Sequence, residues 1–274
     1  MLWKFLPLLC AVSLGAQQFQ EEIGRMLEGQ ACAELPRVKV CHYDYAVGGA
    51  AVEALLFAPV GSGPFPAALL IPGFQRTARD LIPLGVRLAD SGIAAAGVSQ
   101  PGFGKSAGPP DYVGPKTLNV LTVGYHRLQN EPFVDPKRMG IYGYSRGGMA
   151  ASLLAVEIDD VKAAVFGAGV YDFQRMYDDA TLPGIRENMK RETGMTREAV
   201  RVRSSILRMD RLRCPVLILH GEDDRNVPVS QAKLLAKRLE ELHKEFELRL
   251  FPGREHSIGP EAGTLTVDFF KRRL

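Results

Sequence analysis

The stretch Met139-Gly140-Ile141-Tyr142-Gly143-Tyr144-Ser145-Arg146-Gly147-Gly148 carries the residue types that acyl transfer demands. Ser145 stands at the centre of a G-x-S-x-G sequence, with an apolar run before it and a helical pattern after it. In that setting the chain turns sharply from strand to helix and leaves the serine hydroxyl exposed at the turn. Gly143 and Gly147 lack side chains where strand and helix crowd together. The helix N-terminus adds partial positive charge beside a developing anion. The motif alone is common. Its place at a strand–helix junction makes Ser145 the candidate nucleophile.

A serine hydroxyl is a weak nucleophile and needs a neighbouring base. The chain has five histidines. His42 falls near the first strand, His126 and His243 fall in helical patterns, and His220 ends a strand. His256 lies in Phe251-Pro252-Gly253-Arg254-Glu255-His256, a loop after the last strand. From there a histidine reaches over the carboxyl edge of a parallel sheet to the nucleophile, so His256 is the candidate base. The acid that orients it and stabilises the imidazolium belongs between the two in the chain. Glu222, Asp223 and Asp224 compete for that place after a core strand, with Asp172 a remoter option. A tetrahedral intermediate also needs donors aimed at its negative oxygen. The backbone N–H of Arg146 supplies one, and that of Phe74, or alternatively Gln75, supplies the other from the loop Pro72-Gly73-Phe74-Gln75. The part played by the Arg146 side chain is not legible.

These groups need a scaffold that delivers loops to one edge. The apolar runs at 67–71, 93–98, 139–143, 161–166, 216–220 and 246–251 read as strands. Continuous apolar character marks strands buried on both faces. Helical spacing falls between them, at 78–90, 116–130, 147–158 and 231–243, and again at 265–271. Alternation of this kind predicts a mostly parallel central sheet with helices on both faces. The segments 38–46 and 52–58 read as an antiparallel hairpin turning at Gly48-Gly49. The segment 171–210 breaks the rhythm and reads as a small helical cap inserted over the sheet's carboxyl edge. Residues 102–114 are rich in Gly and Pro and read as loop.

The bulk composition bounds the rest. The chain has 274 residues, 46% hydrophobic and 24% charged, with a net charge of +3. That suits one sizeable core and gives no basic run for nucleic acid. Lys4 precedes an apolar run from Phe5 to Ala16 that stops at Gln17-Gln18. The pattern is that of an export signal over residues 1–16, followed by one domain over 17–274, in a periplasmic or secreted protein. Twelve apolar residues are too few to span a bilayer, and no membrane insertion of the mature chain is expected. Export would permit a disulfide, with Cys32 and Cys41 the expected pair and Cys214 a buried thiol. Cys10 fits a lipoprotein site poorly, because Leu9 precedes it.

Taken in order, several segments resemble the α/β-hydrolases. The likeness is to the branch holding dienelactone-hydrolase-like and prolyl-oligopeptidase-like enzymes. They are Pro72-Gly73-Phe74, Pro101-Gly102-Phe103-Gly104-Lys105-Ser106, Val134-Asp135-Pro136-Lys137-Arg138, Gly143 to Gly148, His220 to Pro228, and His256. In the related pattern H-G-x-x-D-x-x-V-P the acid aligns with Asp224. Two departures touch loop geometry: Pro72 stands where relatives often have histidine, and Gln100 where many have aspartate. The resemblance implies an α/β-hydrolase fold and a Ser145–His256–Asp224 triad, with no metal or organic cofactor. Dienelactone hydrolases use cysteine where this chain has serine. Prolyl oligopeptidases carry a β-propeller for which the segment before the first strand leaves no room, which shifts the expected substrate from peptides towards small carboxylic esters. A small peptidase or amidase using the same triad is the alternative. A hydrolase scaffold kept only for binding is the remote one.

Overall fold

The computed structural model describes residues 15–274. The stretch 1–16 read as an export signal lies, up to residue 14, outside the described residues. The chain opens with α1 (Ala16–Met26), β1 (Cys32–Glu34), β2 (Val38–His42), β3 (Tyr45–Val47), β4 (Ala50–Val52), β5 (Ala54–Pro59) and β6 (Phe65–Ile71). It continues with α2 (Ile82–Asp90), β7 (Ala94–Val98), α3 (Pro115–Gln129), β8 (Val134–Tyr144), α4 (Arg146–Glu157) and β9 (Ala163–Gly167). Three helices follow, α5 (Phe173–Asp179), α6 (Pro183–Thr193) and α7 (Arg197–Arg203), then β10 (Val216–Gly221), α8 (Ser230–Glu241), β11 (Phe246–Phe251) and α9 (Glu261–Arg273).

The central sheet runs β1-β2-β5-β7-β6-β8-β9-β10-β11. From β7 to β11 every neighbouring pair is parallel, whereas β5 is antiparallel to both β2 and β7. Parallel strands need crossovers, and helices supply them on both faces. In β6 the alternation is explicit. Ala67, Leu69 and Ile71 join the core beneath α3, α4 and α8, while Ala68 and Leu70 join the core beneath α1, α2 and α9. Both faces are apolar because both are covered, and each fully buried leucine contributes roughly 1.5–3 kcal/mol over its exposed state. This is the α/β-hydrolase sheet that the alternating runs imply.

Local chemistry redraws several expected boundaries. The segment 38–46 is two strands, because the chain leaves the sheet at Tyr43-Asp44, where Asp44 Oδ1 accepts the Ala54 N–H at 2.8 Å. Gly48 and Gly49, both at positive φ, close the separate β3–β4 hairpin rather than the β2–β5 pair. The helical pattern 78–90 is a 3₁₀ turn over Ala78–Leu81 followed by α2. Pro83, near the start of α2, cannot continue a preceding helix but suits a new first turn. Thr77 caps the 3₁₀ turn reciprocally with Asp80. Helix α1 and strand β1 were not expected. Ile23 and Leu27 bury the inner face of α1.

The inserted segment is helical, as expected. It holds α5, α6, α7 and a 3₁₀ stretch over Ser205–Arg211. Asp172 and Thr196 cap α5 and α7 by accepting the N–H groups of Arg175 and Ala199. Buried Gln231 on α8 accepts both the Tyr171 and Asp172 N–H groups at 2.9 Å, which anchors the start of the insertion.

Cys32 and Cys41 face each other across β1 and β2 and form a disulfide, whereas Cys214 is a free buried thiol. Burial pushes the Cys214 thiol up to about 12, which keeps it unreactive. The Cys32–Cys41 bridge closes a loop across a sequence separation of 9. A loop of that size gives about 2–3 kcal/mol by unfolded-state restriction. Cys32→Ser with Cys41→Ser should lower the unfolding free energy from denaturant titration by that amount without changing the sheet's circular dichroism.

Candidate active site

The site is built around the passage from β8 to α4. Ser145 adopts φ 56°, ψ −120°, a left-handed conformation that a non-glycine residue holds only when its surroundings enforce it. They do so here. A Cβ on Gly143 would sit 1.9 Å from the Gly147 carbonyl oxygen, and one on Gly147 would sit 2.1 Å from that of Ile71. Neither position tolerates a side chain. The Ser145 N–H donates to the Gly167 oxygen at 2.7 Å, which ties the turn to β9.

The three side chains expected to act together converge. Ser145 Oγ donates to His256 Nε2 at 2.9 Å, and His256 Nδ1–H donates to Asp224 Oδ2 at 2.7 Å. The His256 side chain is 25% exposed and that of Asp224 is fully buried. Oδ1 of Asp224 accepts the N–H groups of Asn226 and Val227 at 2.8 and 2.9 Å, so both carboxylate oxygens are fixed. Burial alone would raise the pKa of Asp224. Hydrogen bonds from His220 and His256, the charge of His256 and the Val227 N–H outweigh it and hold the carboxyl well below the usual range.

The rival acids are elsewhere. Glu222 and Asp223 are exposed to solvent, and Asp172 caps α5. The other histidines are also accounted for. His42 pairs with the Leu27 oxygen, His126 pairs with Gln129 on the face of α3, and His243 is exposed. His220 is fully buried and donates Nε2–H to the Val227 oxygen at 2.8 Å, lying 3.4 Å from Asp224 Oδ2. It therefore braces the acid loop from beneath.

The loop Pro72–Gln75 lies against Ser145. A Cβ on Gly73 would be 3.3 Å from the Ser145 Cβ and 3.8 Å from Oγ. Among the described residues the backbone N–H groups of Phe74 and Arg146 have no protein acceptor, so both are free donors beside Ser145. The two sequence departures account for each other. Buried Gln100 donates Nε2–H to the Pro72 oxygen at 2.7 Å, a bond that an ionised aspartate could not donate.

Three contributors to the cavity and its surroundings escaped the sequence reading. Tyr144 donates its hydroxyl to the His256 carbonyl oxygen and fixes the loop that presents the imidazole. Glu192 on α6 pairs with the Arg146 side chain at 3.0 Å, with both side chains 5% exposed. Gln17, Gln20 and Glu21 of α1 line the same cavity as Ser145. Phe19, Ile23, Met26 and Leu27 carry a helical apolar spacing that signals α1. Nothing local marks Glu192, because its partner is 46 residues away. The cavity itself holds about 1480 Å³ and is walled by Phe74, Tyr112, Met149, Val170, Met176 and Val227, among others.

A sheet in this order, with a strand-to-helix serine, defines an α/β-hydrolase. The chain belongs to the prolyl oligopeptidase family of serine hydrolases, whose model matches residues 116–272. It is 28% identical over 223 residues to "Uncharacterized peptidase YtmA" of Bacillus subtilis, covering 79% of this chain and 86% of that one. A puromycin-hydrolysing peptidase of Mycobacterium tuberculosis superposes with a TM-score of 0.75 at 23% identity. That match covers 88% of this chain but 41% of the other. An acetyl xylan esterase from Paenibacillus sp. R4 superposes with a TM-score of 0.73 at 17% identity, covering 94% of each chain. At those identities the two structures share the fold.

The depressed pKa of Asp224 sets a pH window. Its ionisation stabilises the native state fully above the unfolded value of about 3.9, and that stabilisation is lost as pH falls through the lower folded value. Denaturant midpoints of the native protein and Asp224→Asn should therefore differ by a constant amount above about pH 5, and converge only in stronger acid. A gap that closes between pH 5 and 7 would contradict the assignment.

Proposed function

We propose that the protein hydrolyses carboxylic esters through an acyl-enzyme, with Ser145, His256 and Asp224 as the triad. The observation that carries this reading is the continuous relay from Ser145 Oγ to His256 and on to buried Asp224. Ser145 Oγ attacks the ester carbonyl while its proton passes to His256 Nε2. The carbonyl oxygen takes the negative charge and accepts the Phe74 and Arg146 N–H groups. His256 returns the proton to the departing alkoxide, leaving the acyl group on Ser145. Water then repeats the sequence, giving up a proton to His256 as it attacks, and releases the acid. Asp224 stays ionised throughout and holds the imidazole in the Nδ1–H tautomer.

We infer an acyl group that is uncharged and apolar where it meets the buried wall of the cavity. The cavity walls offer the side chains of Met149, Val170, Met176 and Val227, and the one buried cation among the lining residues nearest the nucleophile, Arg146, is already neutralised by Glu192. A buried polar site that is already paired offers nothing to a charged acyl substituent. The second reading is amide cleavage by the same triad. It is favoured by the relatives, YtmA being named as a peptidase and the M. tuberculosis protein as one that hydrolyses puromycin.

Ser145→Ala should lower kcat for p-nitrophenyl butyrate by at least about 10⁴-fold while leaving the thermal midpoint nearly unchanged. Turnover retained by the folded variant would rule out Ser145. For the native protein, kcat/KM for that ester should exceed kcat/KM for alanine p-nitroanilide; the reverse ratio would establish the peptidase reading.

We further propose that the protein is exported, its first 16 residues acting as a signal. The Cys32–Cys41 disulfide supports an oxidising compartment. N-terminal sequencing of the mature protein should begin close to Gln17, and an intact Met1 in a cytoplasmic fraction would refute export.

A further inference from the structure

Arg146 contributes its backbone N–H to the proposed oxyanion site, and its side chain stacks among aromatic and acidic groups on the wall of the same cavity. The guanidinium lies between two rings, 4.2 Å from the centroid of Phe74 and 4.0 Å from that of Tyr112. Phe103 meets Phe74 edge-on at 5.5 Å and completes the aromatic wall. Glu192 accepts from the guanidinium with both oxygens, at 3.0 to 3.3 Å, and its Oε2 also accepts the Tyr112 N–H at 2.8 Å.

Tyr112 is itself held. Its φ is 47° and that of Val113 is 56°, a left-handed pair that only surrounding contacts sustain. Buried Arg203 from α7 donates to the Tyr112 oxygen at 2.8 Å and to the Asp111 oxygen at 2.6 Å. The cap therefore grips the 111–113 loop from two helices, and the loop presses the Tyr112 ring onto Arg146.

The other face of Arg146 bears on Phe74, at the tip of a loop that is tied down at its ends, by Gln100 at Pro72 and by the Thr77–Asp80 cap. Residues 72–77 make neither strand nor helix, Gln75 is left-handed at φ 56°, and the Phe74 residue is 37% exposed. Its N–H is the second proposed oxyanion donor. The stack is thus the contact through which one donor residue sets the position of the other.

We propose that the Arg146 side chain is a positioning group for the oxyanion site, clamping Phe74 in place, and that Glu192 on the cap locks the clamp. The inference rests on the ester-hydrolase reading. It predicts that the clamp matters to the transition state rather than to substrate binding, because the oxyanion exists only after attack. A guanidinium plane stacks on rings in a way that an ammonium does not, so Arg146→Lys keeps an ion pair to Glu192 but loses the clamp.

The experiment compares Phe74→Leu and Arg146→Lys with the native protein. Phe74→Leu keeps the backbone N–H and alters a half-exposed side chain, so the fold survives even if Arg146→Lys unfolds. With p-nitrophenyl butyrate, kcat should fall about 10- to 100-fold, the cost of misplacing a donor by about an ångström, while KM stays within about threefold. Affinity for an alkyl trifluoromethyl ketone, whose carbonyl carbon bonds to Ser145 Oγ as the proton moves to His256, should fall in parallel with kcat. Unchanged kcat in a folded variant, or a loss confined to KM, would overturn the proposal. If the native protein is neither labelled by a fluorophosphonate nor active on the ester, the hydrolase reading itself fails and the proposal falls with it. That result is distinct from a labelled, active native protein whose variants match it.

Discussion

The arrangement depends on one steric constraint, the close approach of the start of α4 to the ends of β6 and β8. Gly147 lies so near the Ile71 and Pro72 carbonyl oxygens that a methyl group would collide with both. That closeness forces Ser145 into its left-handed turn, brings the α4 N-terminus to the nucleophile, and brings the loop after β6 within reach of it. The proposed nucleophile, the helix end and the proposed second oxyanion donor are thus consequences of a single packing event. A bulkier residue at position 147 would separate all three.

Sheet topology then determines where acid and base arrive. Strands β8 to β11 are parallel, so their following loops leave at the same edge. Gly221 pairs with Phe251 at the last rung, and the Glu222 and Asp223 N–H groups donate to the Phe251 and Arg254 oxygens. The acid loop and the base loop are therefore stitched together before their side chains meet. Asp224 is buried in this seam yet is held in its ionised form, because the donors around it compensate its loss of water. In the proposed mechanism that charge stabilises the imidazolium formed when His256 takes the serine proton.

Much of this is legible in the sequence because the relevant signals are local. A run such as Ala67–Ile71 is apolar on both faces since both faces are covered, and the turn at Ser145 announces itself by two glycines. Positions decided by distant partners are not legible. Of the three acids after β10, the resemblance points to Asp224, but the burial that sets it apart from Glu222 and Asp223 has no local signal. Strand β1 pairs with β2 in a register, Cys32 opposite Cys41, that no periodicity encodes. Gln100 reads as a departure until the Pro72 carbonyl, which needs a donor, is placed beside it. Glu192 looks like one charge among many on a polar helix until Arg146 meets it across the cap.

The Arg146–Glu192 pair shows why such a residue is kept. Desolvation offsets most of the Coulomb attraction of two buried ions, so the pair is a poor source of stability. What it supplies is geometry and neutrality. On the proposed reading, an unpaired guanidinium on this cavity wall would attract the carboxylate of the product acid, and binding product tightly does nothing for the chemical step. With Glu192 consuming that charge, the field facing the carbonyl comes from backbone N–H groups and the end of α4. Those dipoles interact weakly with a neutral ester and strongly with its tetrahedral anion, which is the difference a hydrolase needs.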